Sequence, residues 1–174
     1  MGFSNAAVVN FDDIFDFFST DCTAVDIPDP YEGFFWDGDW VEVTTDLTYT
    51  ACDNNNSYGS PSGENAVHNG WGKETITITP DGFNFNFKGA YFASWGCNDE
   101  TCNFPFPNDD TSAEWIILVG YLDGQEVGYK KKKLKTNRYK WVNVNFKNID
   151  ELVIQSSGDK HFWLMDNFTY TIVP

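Results

Sequence analysis

Apolar and polar residues alternate one by one along much of this chain. The alternation is clean in Glu74–Thr79, in Phe83–Phe87 and in Tyr139–Phe146, and Glu114–Tyr121 is almost continuously apolar. A period of two is the pattern of a half-buried strand, and a short apolar run is typical of a fully buried one. Turn residues such as Asp123-Gly124 separate these segments. We therefore predict an all-β chain of about ten strands, folded as a two-sheet antiparallel β-sandwich or jelly roll.

The first and last predicted strands both carry acids among apolar residues. Asp12 and Asp13 lie in the first, residues 6–14, and Asp166 lies in the last, residues 161–173. An unpaired charge in the core is costly. We therefore predict that these two strands lie side by side and that a cation binds where their carboxylates meet.

Calcium suits such a site, because Ca²⁺ takes six to eight oxygen ligands from carboxylates, amides and carbonyl groups. The candidate ligands are Asp166 with Asp12 or Asp13, and the predicted Ca²⁺ is structural. Alternation places Asp166 on the face of Leu164 and Phe168, which we expect to be buried. The alternative is that these acids lie on an exposed face or cap a turn.

Composition limits the classes of function. A length of 174 residues predicts one β-sandwich domain over residues 1–174, with residues 1–5 as an added or flexible start. The net charge of −15 argues against nucleic acid as the main partner. No apolar run reaches 18 residues, so we expect no membrane insertion. The oligomeric state is not predicted.

Basic residues are concentrated in one segment. Seven of the eleven lie between Lys130 and Lys140. We expect a strand whose lysines mostly face solvent and protect a sheet edge, with binding to an anionic polymer as the alternative.

Four cysteines, an even number, favour disulfide bonds over zinc, because the two histidines are isolated and the spacing is not that of a zinc ribbon. Four cysteines allow three pairings, and the expected pairs are Cys97 with Cys102 and Cys22 with Cys52. This expectation, with the absence of a signal peptide from the first residues, predicts a secreted, extracellular protein whose signal has been removed.

Sugar rings have apolar faces that lie flat on aromatic side chains, while amides and acids bind the hydroxyl groups. Five aromatic residues lie in or near loops rich in Gly and Asn and are the candidate ligand-binding residues: Trp36, Trp40, Tyr58, Trp71 and Trp95. The alternative is that they pack in the core or against loops. The other three tryptophans, Trp115, Trp141 and Trp163, lie within predicted strands and are expected in the core.

No nucleophile elbow, zinc-protease helix or phosphate-binding loop is present, so no catalytic residue is predicted. Whether the chain is an enzyme stays open, with a non-catalytic role favoured. Paired carboxylates could support glycoside hydrolysis, which is the remaining enzymatic alternative, but 26 acids make such pairs common by chance.

Short motifs distributed over almost the whole chain resemble those of secreted β-sandwich proteins, many of them bacterial proteins with cell-surface sorting signals. The motifs are Phe11-Asp12-Asp13, Tyr31-Glu32-Gly33-Phe34-Phe35-Trp36, Ser62–Asn69, Leu118–Val127, Val144–Leu152 and Met165-Asp166-Asn167-Phe168. The resemblance implies a jelly roll similar to carbohydrate-binding modules, in which the terminal strands commonly hold a structural calcium. It implies no shared catalytic residues.

The sequence therefore predicts a secreted, non-catalytic module or lectin that binds a polysaccharide or other glycan. The alternatives are a cell-surface or matrix adhesion protein with a protein partner, and a small glycan-active enzyme.

Overall fold

A computed structural model describes residues 6–14, 25–37, 40–44, 60–63, 65–95, 112–136, 138–158 and 161–174. Twelve strands are described, in chain order: β1 (Ala7–Val9), β2 (Val25–Asp26), β3 (Phe34–Asp37), β4 (Trp40–Thr44), β5 (Asn65–Asn69), β6 (Thr75–Pro80), β7 (Phe85–Ser94), β8 (Trp115–Leu122), β9 (Gln125–Lys133), β10 (Lys140–Asn143), β11 (Glu151–Ser156) and β12 (Trp163–Ile172). Between β5 and β6 lies a single 3₁₀ turn, Gly70–Gly72. The described residues include no α-helix, and they contain no helix that is long and apolar enough to cross a membrane.

The strands form two antiparallel sheets. One sheet has the order β10-β7-β12-β5-β4-β2, with β1 also paired to β12, and the other has the order β3-β6-β11-β8-β9. The predicted all-β, two-sheet sandwich is confirmed. Apolar residues of both sheets fill the space between them, and aromatic rings dominate this core.

Phe34 is central to the aromatic packing. Its ring makes edge-on contacts with Phe85, Phe168 and Tyr170, with centroid distances of 5.1, 5.4 and 4.8 Å. Such edge-to-face pairs contribute beyond the apolar area that they bury. The core therefore links β3 of one sheet to β7 and β12 of the other.

The predicted pairing of the first and last strands is confirmed, since β1 is antiparallel to β12 with Val9 opposite Phe168. The first strand is shorter than expected. Phe11 has φ 62°, and the Ile14 N–H donates to the Phe11 carbonyl at 3.2 Å, so the chain turns after Val9. Asp12 and Asp13 therefore lie in a turn rather than on a strand.

The prediction that Asp166 shares its face with Leu164 and Phe168 is half correct. Trp163 and Met165 face the core, and so does Phe168, because the pairing of β12 with β7 shifts after Asp166 and Asn167 adopts φ 55°. A β-bulge of this kind moves every later side chain to the opposite face. Asp166 shares its face with Leu164 but not with Phe168.

Lys130–Lys133 of the lysine segment lie on β9, at the edge of the five-stranded sheet, as predicted. Asp123 and Gly124 have φ 50° and 73°, as the tight hairpin turn between β8 and β9 requires. The lysines of β9 are exposed apart from Lys132, which is half-buried. Lys131 places its ammonium group 3.8 Å from the centre of the Trp115 ring.

Candidate functional site

The structure places three of the five candidate aromatic residues inside the protein. Trp36 and Trp40 are buried, and their rings meet edge-on at 5.2 Å in the main core. Trp95 is buried on the outer face of the seven-stranded sheet, beside Leu164. Core packing accounts for all three, and no ring face is open to a ligand. Tyr58 lies outside the described residues.

The fourth, Trp71, is the most exposed large apolar side chain described, with 81% of its surface accessible. It occupies the middle of the turn Gly70–Gly72 at φ 56°, a conformation that is strained for a bulky residue.

The buried side chain of Asn69 holds this turn. Its amide group donates to the carbonyl groups of Lys73 and His161 at 2.8 and 2.9 Å, and its oxygen accepts from the Trp163 N–H at 3.0 Å. Trp71 is therefore presented to solvent by a turn that is tied to the last strand.

An aromatic pair that was not predicted from the sequence lies on the outer face of the seven-stranded sheet. Trp141 of β10 lies opposite Tyr91 of β7, and their rings meet edge-on at 5.3 Å. Their neighbours Val142 and Ala90 point into the core, so this pair points outwards. The expectation that Trp141 is a core residue is wrong, since 39% of its surface is exposed.

Gly89 makes room for the Trp141 indole. A Cβ on Gly89 would collide with the Val142 carbonyl oxygen and lie 3.0 Å from Cζ2 of Trp141. The indole therefore lies close over the bare backbone of β7. A glycine inside a strand, two residues before the aromatic Tyr91, was the sequence signal for this close approach.

Amide side chains surround the pair. The segment 143–148 continues from β10 along β7, and Asn145 donates from its amide to the Asn143 oxygen at 2.8 Å. The Asn148 N–H donates to the Asn86 side chain at 3.0 Å, and Asn86 donates to the Thr171 hydroxyl at 3.0 Å. Aromatic faces and amide groups thus lie together on one open sheet surface.

A second feature of the same sheet is the buried carboxylate of Asp166. Its Oδ2 accepts from the Ser62 N–H at 2.9 Å and from the Ser62 hydroxyl at 3.0 Å, while its Oδ1 accepts from the Asn167 N–H at 2.6 Å. The Ser62 hydroxyl also lies 2.9 Å from the Asn167 side-chain oxygen. Segment 60–63, from the long polar loop, therefore covers Asp166.

Asp12 lies next to this group. Its carboxylate is in contact with Gly63, where any side chain would overlap it, and it accepts from the Asn65 N–H at 3.3 Å. The pKa of Asp166 is raised to about 6, chiefly by burial and to a smaller extent by the negative charge of Asp12, against the hydrogen bonds from Ser62 and Asn167. The two carboxylates predicted as metal ligands are thus brought together.

Asp13 points elsewhere. It is exposed, and it accepts a hydrogen bond from the Tyr31 hydroxyl, whose pKa is raised chiefly by burial and then by this bond. Of the two alternatives for the first strand, Asp12 is the residue beside Asp166.

The side chains around Asp166 offer the type of ligand atom that a hard cation prefers. Two carboxylates, the Asn167 amide oxygen and the Ser62 hydroxyl are all oxygen ligands, which Ca²⁺ prefers. The described part of the chain contains no cluster of three or more His, Cys, Asp or Glu side chains. Amide, hydroxyl and carbonyl oxygens would have to complete the coordination.

His68 is also on the outer face of this sheet, but it is buried. Its ring lies 4.7 Å from that of Trp95 and 6.2 Å from that of Phe162. Burial lowers the pKa of His68 to about 4, so the ring is neutral near pH 7.

The four cysteines, Cys22, Cys52, Cys97 and Cys102, lie outside the described residues. Their predicted pairing stays a prediction.

No protein-family model matches the chain, and no curated protein sequence matches it. Among solved structures, the K2 cleaved adhesin domain of Lys-gingipain is similar with a TM-score of 0.51 at 11% identity, over 98% of this chain and 99% of that chain. This likeness shows a shared fold.

Two carbohydrate-binding structures are similar to a lesser degree. TmCBM61, solved in complex with β-1,4-galactotriose, matches with a TM-score of 0.45 at 13% identity, over 82% of this chain and 90% of that one. The CBM22-1–CBM22-2 tandem of Paenibacillus barcinonensis Xyn10C matches with a TM-score of 0.49 at 10% identity, over 96% of this chain and 45% of that one.

Proposed function

We propose that this protein is a non-catalytic module that binds a polysaccharide on the outer face of its seven-stranded sheet. The observation that carries the proposal is the Trp141–Tyr91 pair, which places two aromatic rings edge-on at 5.3 Å on an open sheet surface. An aromatic ring fixed by its neighbours loses little conformational entropy when a ligand covers it.

The surroundings of the pair suit a sugar. Each sugar ring combines an apolar face with a rim of hydroxyl groups. Trp141 and Tyr91 offer surface for the apolar face, while Asn143 and Asn145 offer amide donors and acceptors for the hydroxyl groups. Both asparagines are exposed, so their remaining hydrogen-bonding capacity is available to a ligand.

Trp71 is a second proposed contact, either with the same chain of sugars or with another partner. Its support is exposure of 81% on a turn anchored by Asn69. A protein partner, as in an adhesion protein, would favour such an isolated exposed tryptophan over the sheet pair.

The test compares Trp141→Ala, Trp71→Ala and the unsubstituted protein on a glycan array, followed by titration calorimetry on the best ligand. We expect Trp141→Ala to weaken binding at least tenfold with an unchanged melting temperature. Phe35→Ala is the matched control, because Phe35 is exposed to 38% but lies on β3 of the other sheet.

Binding that survives Trp141→Ala would contradict the proposed surface. Binding that is lost only in Trp71→Ala, or that is directed to a protein, would favour the adhesion alternative. Cleavage of the glycan would favour the small enzyme instead.

We also propose a structural Ca²⁺ held by Asp12 and Asp166. The support is a buried carboxylate of raised pKa beside a second carboxylate, with the Asn167 and Ser62 oxygens adjacent. A bound Ca²⁺ would neutralise both carboxylates and tie the segment 60–63 to the two terminal strands.

Secretion and two disulfides, Cys22–Cys52 and Cys97–Cys102, complete the proposal. Their support is the even number of cysteines and the resemblance to secreted β-sandwich proteins.

A further inference from the structure

Lys88 and Lys147 lie beside the aromatic pair. The core residues of β7 are Phe85 and Phe87 and then Ala90 and Phe92, so its alternation slips by one position at Lys88 and Gly89. Lys88 and Tyr91 therefore share the outer face of the sheet, although they are three residues apart.

The segment after β10 brings Lys147 to the same place. The N–H groups of Val144 and Asn145 donate to the Lys88 carbonyl at 2.9 and 3.3 Å, and the Asn148 N–H bonds to Asn86. Lys147 lies between these two anchoring points. Asn145 and Asn148 have φ 61° and 51°, so the segment curves at both sides of Lys147 while it follows β7.

The side chains of Lys88 and Lys147 approach each other closely on this surface. The pKa of Lys88 is lowered, first by the hydrogen bond with Lys147, then by burial and then by the charge of Lys147.

The charge distribution of the chain does not predict two lysines at the position of Lys88 and Lys147. The chain has a net charge of −15 and eleven basic residues, most of them on the lysine segment that begins on β9. Two lysines that face each other beside an exposed tryptophan therefore make a local positive potential on an acidic protein, and such a site attracts anions.

We propose that the glycan bound at the Trp141–Tyr91 pair is acidic, and that Lys88 and Lys147 together bind its carboxylate or sulfate groups. This inference rests on the proposed function and names its substrate class. A bound anion between the two ammonium groups replaces their mutual repulsion by two charge-assisted hydrogen bonds, which are stronger than neutral ones. The stacked sugar ring on Trp141 would hold the acidic substituent near the lysines.

The test uses probes matched in backbone and different in charge. Calorimetry would compare an oligogalacturonide with its fully methyl-esterified form, and a sulfated galactan oligosaccharide with its desulfated form. We expect one charged probe to bind at least tenfold more tightly than its neutral counterpart, with affinity that falls steeply between 50 and 500 mM salt. The probe that shows this preference identifies the anion as carboxylate or sulfate.

Lys88→Gln and Lys147→Gln should each reduce affinity for the charged probe about tenfold and leave affinity for the neutral one unchanged. The double variant Lys131→Gln/Lys133→Gln on β9 removes twice as much charge from the other sheet and should still have little effect. Circular dichroism melting would show that all variants fold.

Equal binding of charged and neutral probes, lost in Trp141→Ala, would overturn the acidic specificity and leave the proposed function standing. Loss of binding only in the β9 variant would also overturn it, because the anion would then bind the other sheet. Binding to none of the probes would overturn both.

Discussion

The Trp141 indole lies over Gly89 of the neighbouring strand, with Cζ2 3.0 Å from the position of a Cβ on Gly89. The backbone of Gly89 has φ 148°, which L-residues rarely adopt. One glycine therefore permits both the local slip in β7 and the outward aromatic surface. A side chain there would meet the Val142 carbonyl as well as the indole.

Gly89→Ala should lower the free energy of unfolding by about 2–4 kcal/mol, since it adds overpacking to backbone strain. Urea denaturation would measure the change. Gly124→Ala is the matched control, because Gly124 also has positive φ but has nothing within 4 Å of its Cβ position. We expect that variant to lose only about 1 kcal/mol, and equal losses in the two variants would contradict the steric role of the Val142 carbonyl and the Trp141 indole at Gly89.

Removal of calcium should lower the melting temperature, and added Ca²⁺ should restore it. A ligand that binds only the folded state stabilises it by about 2.7 kcal/mol at a hundredfold excess over Kd. Asp12→Asn and Asp166→Asn should abolish the response to Ca²⁺ in differential scanning calorimetry.

Asp13→Asn is the control for this experiment, because Asp13 is adjacent in sequence but bonds to Tyr31. It should respond to Ca²⁺ as the unsubstituted protein does. Superimposable melting curves with chelator and with Ca²⁺, for a protein shown to be free of metal, would remove the calcium site.

Acid should destabilise the protein through His68. The folded-state pKa of His68, about 4, lies below the ordinary histidine value of 6.5, so in this interval the unfolded chain binds a proton that the folded chain does not. The free energy of unfolding therefore falls as pH decreases from about 6.5 through about 4. One pKa unit corresponds to about 1.4 kcal/mol, so the loss at pH 4.5 should be about 2–3 kcal/mol.

His68→Gln should remove this part of the pH dependence when urea midpoints at pH 7.5 and pH 4.5 are compared. His161→Gln is the control, because His161 is half-buried and bonds to the Ser157 hydroxyl at 2.7 Å. An acid response in His68→Gln equal to that of the unsubstituted protein would show that other groups cause it.

Asn69→Ala should destabilise the protein by about 2–4 kcal/mol, because it leaves the Trp163 N–H and two carbonyl groups without their partner. The fluorescence anisotropy of Trp71, measured as the difference from a Trp71→Phe background, should also fall as the turn loosens. An unchanged anisotropy would mean that the turn is held without Asn69.

All four cysteines should be oxidised. Thiol titration of the unfolded, unreduced protein should find no free thiol, and peptide mass mapping should join Cys97 to Cys102 and Cys22 to Cys52. Closing the short 97–102 loop contributes about 2 kcal/mol, so reduction should lower the melting temperature without unfolding the sandwich. Four free thiols would exclude the disulfides.

The amino-acid sequence alone determined the sandwich and the pairing of its terminal strands. Side chains of a strand point alternately to its two faces. The alternating phenylalanines of Phe83–Phe87 and the apolar run 114–121 show the pattern expected of half-buried and fully buried strands. The hairpin at Asp123-Gly124 was equally clear, because few residue pairs adopt positive φ at both positions.

Only the tertiary structure decided which residues reach the surface. The turn at Phe11, the slip at Gly89 and the bulge at Asn167 each move the following side chains to the opposite face, so a period of two cannot be extended across them. For that reason Lys88 and Tyr91 share a face, Asp166 does not share the face of Phe168, and Asp12 rather than Asp13 meets Asp166. Local sequence cannot show such shifts, because long-range packing against the facing strand determines whether the strained backbone is stable.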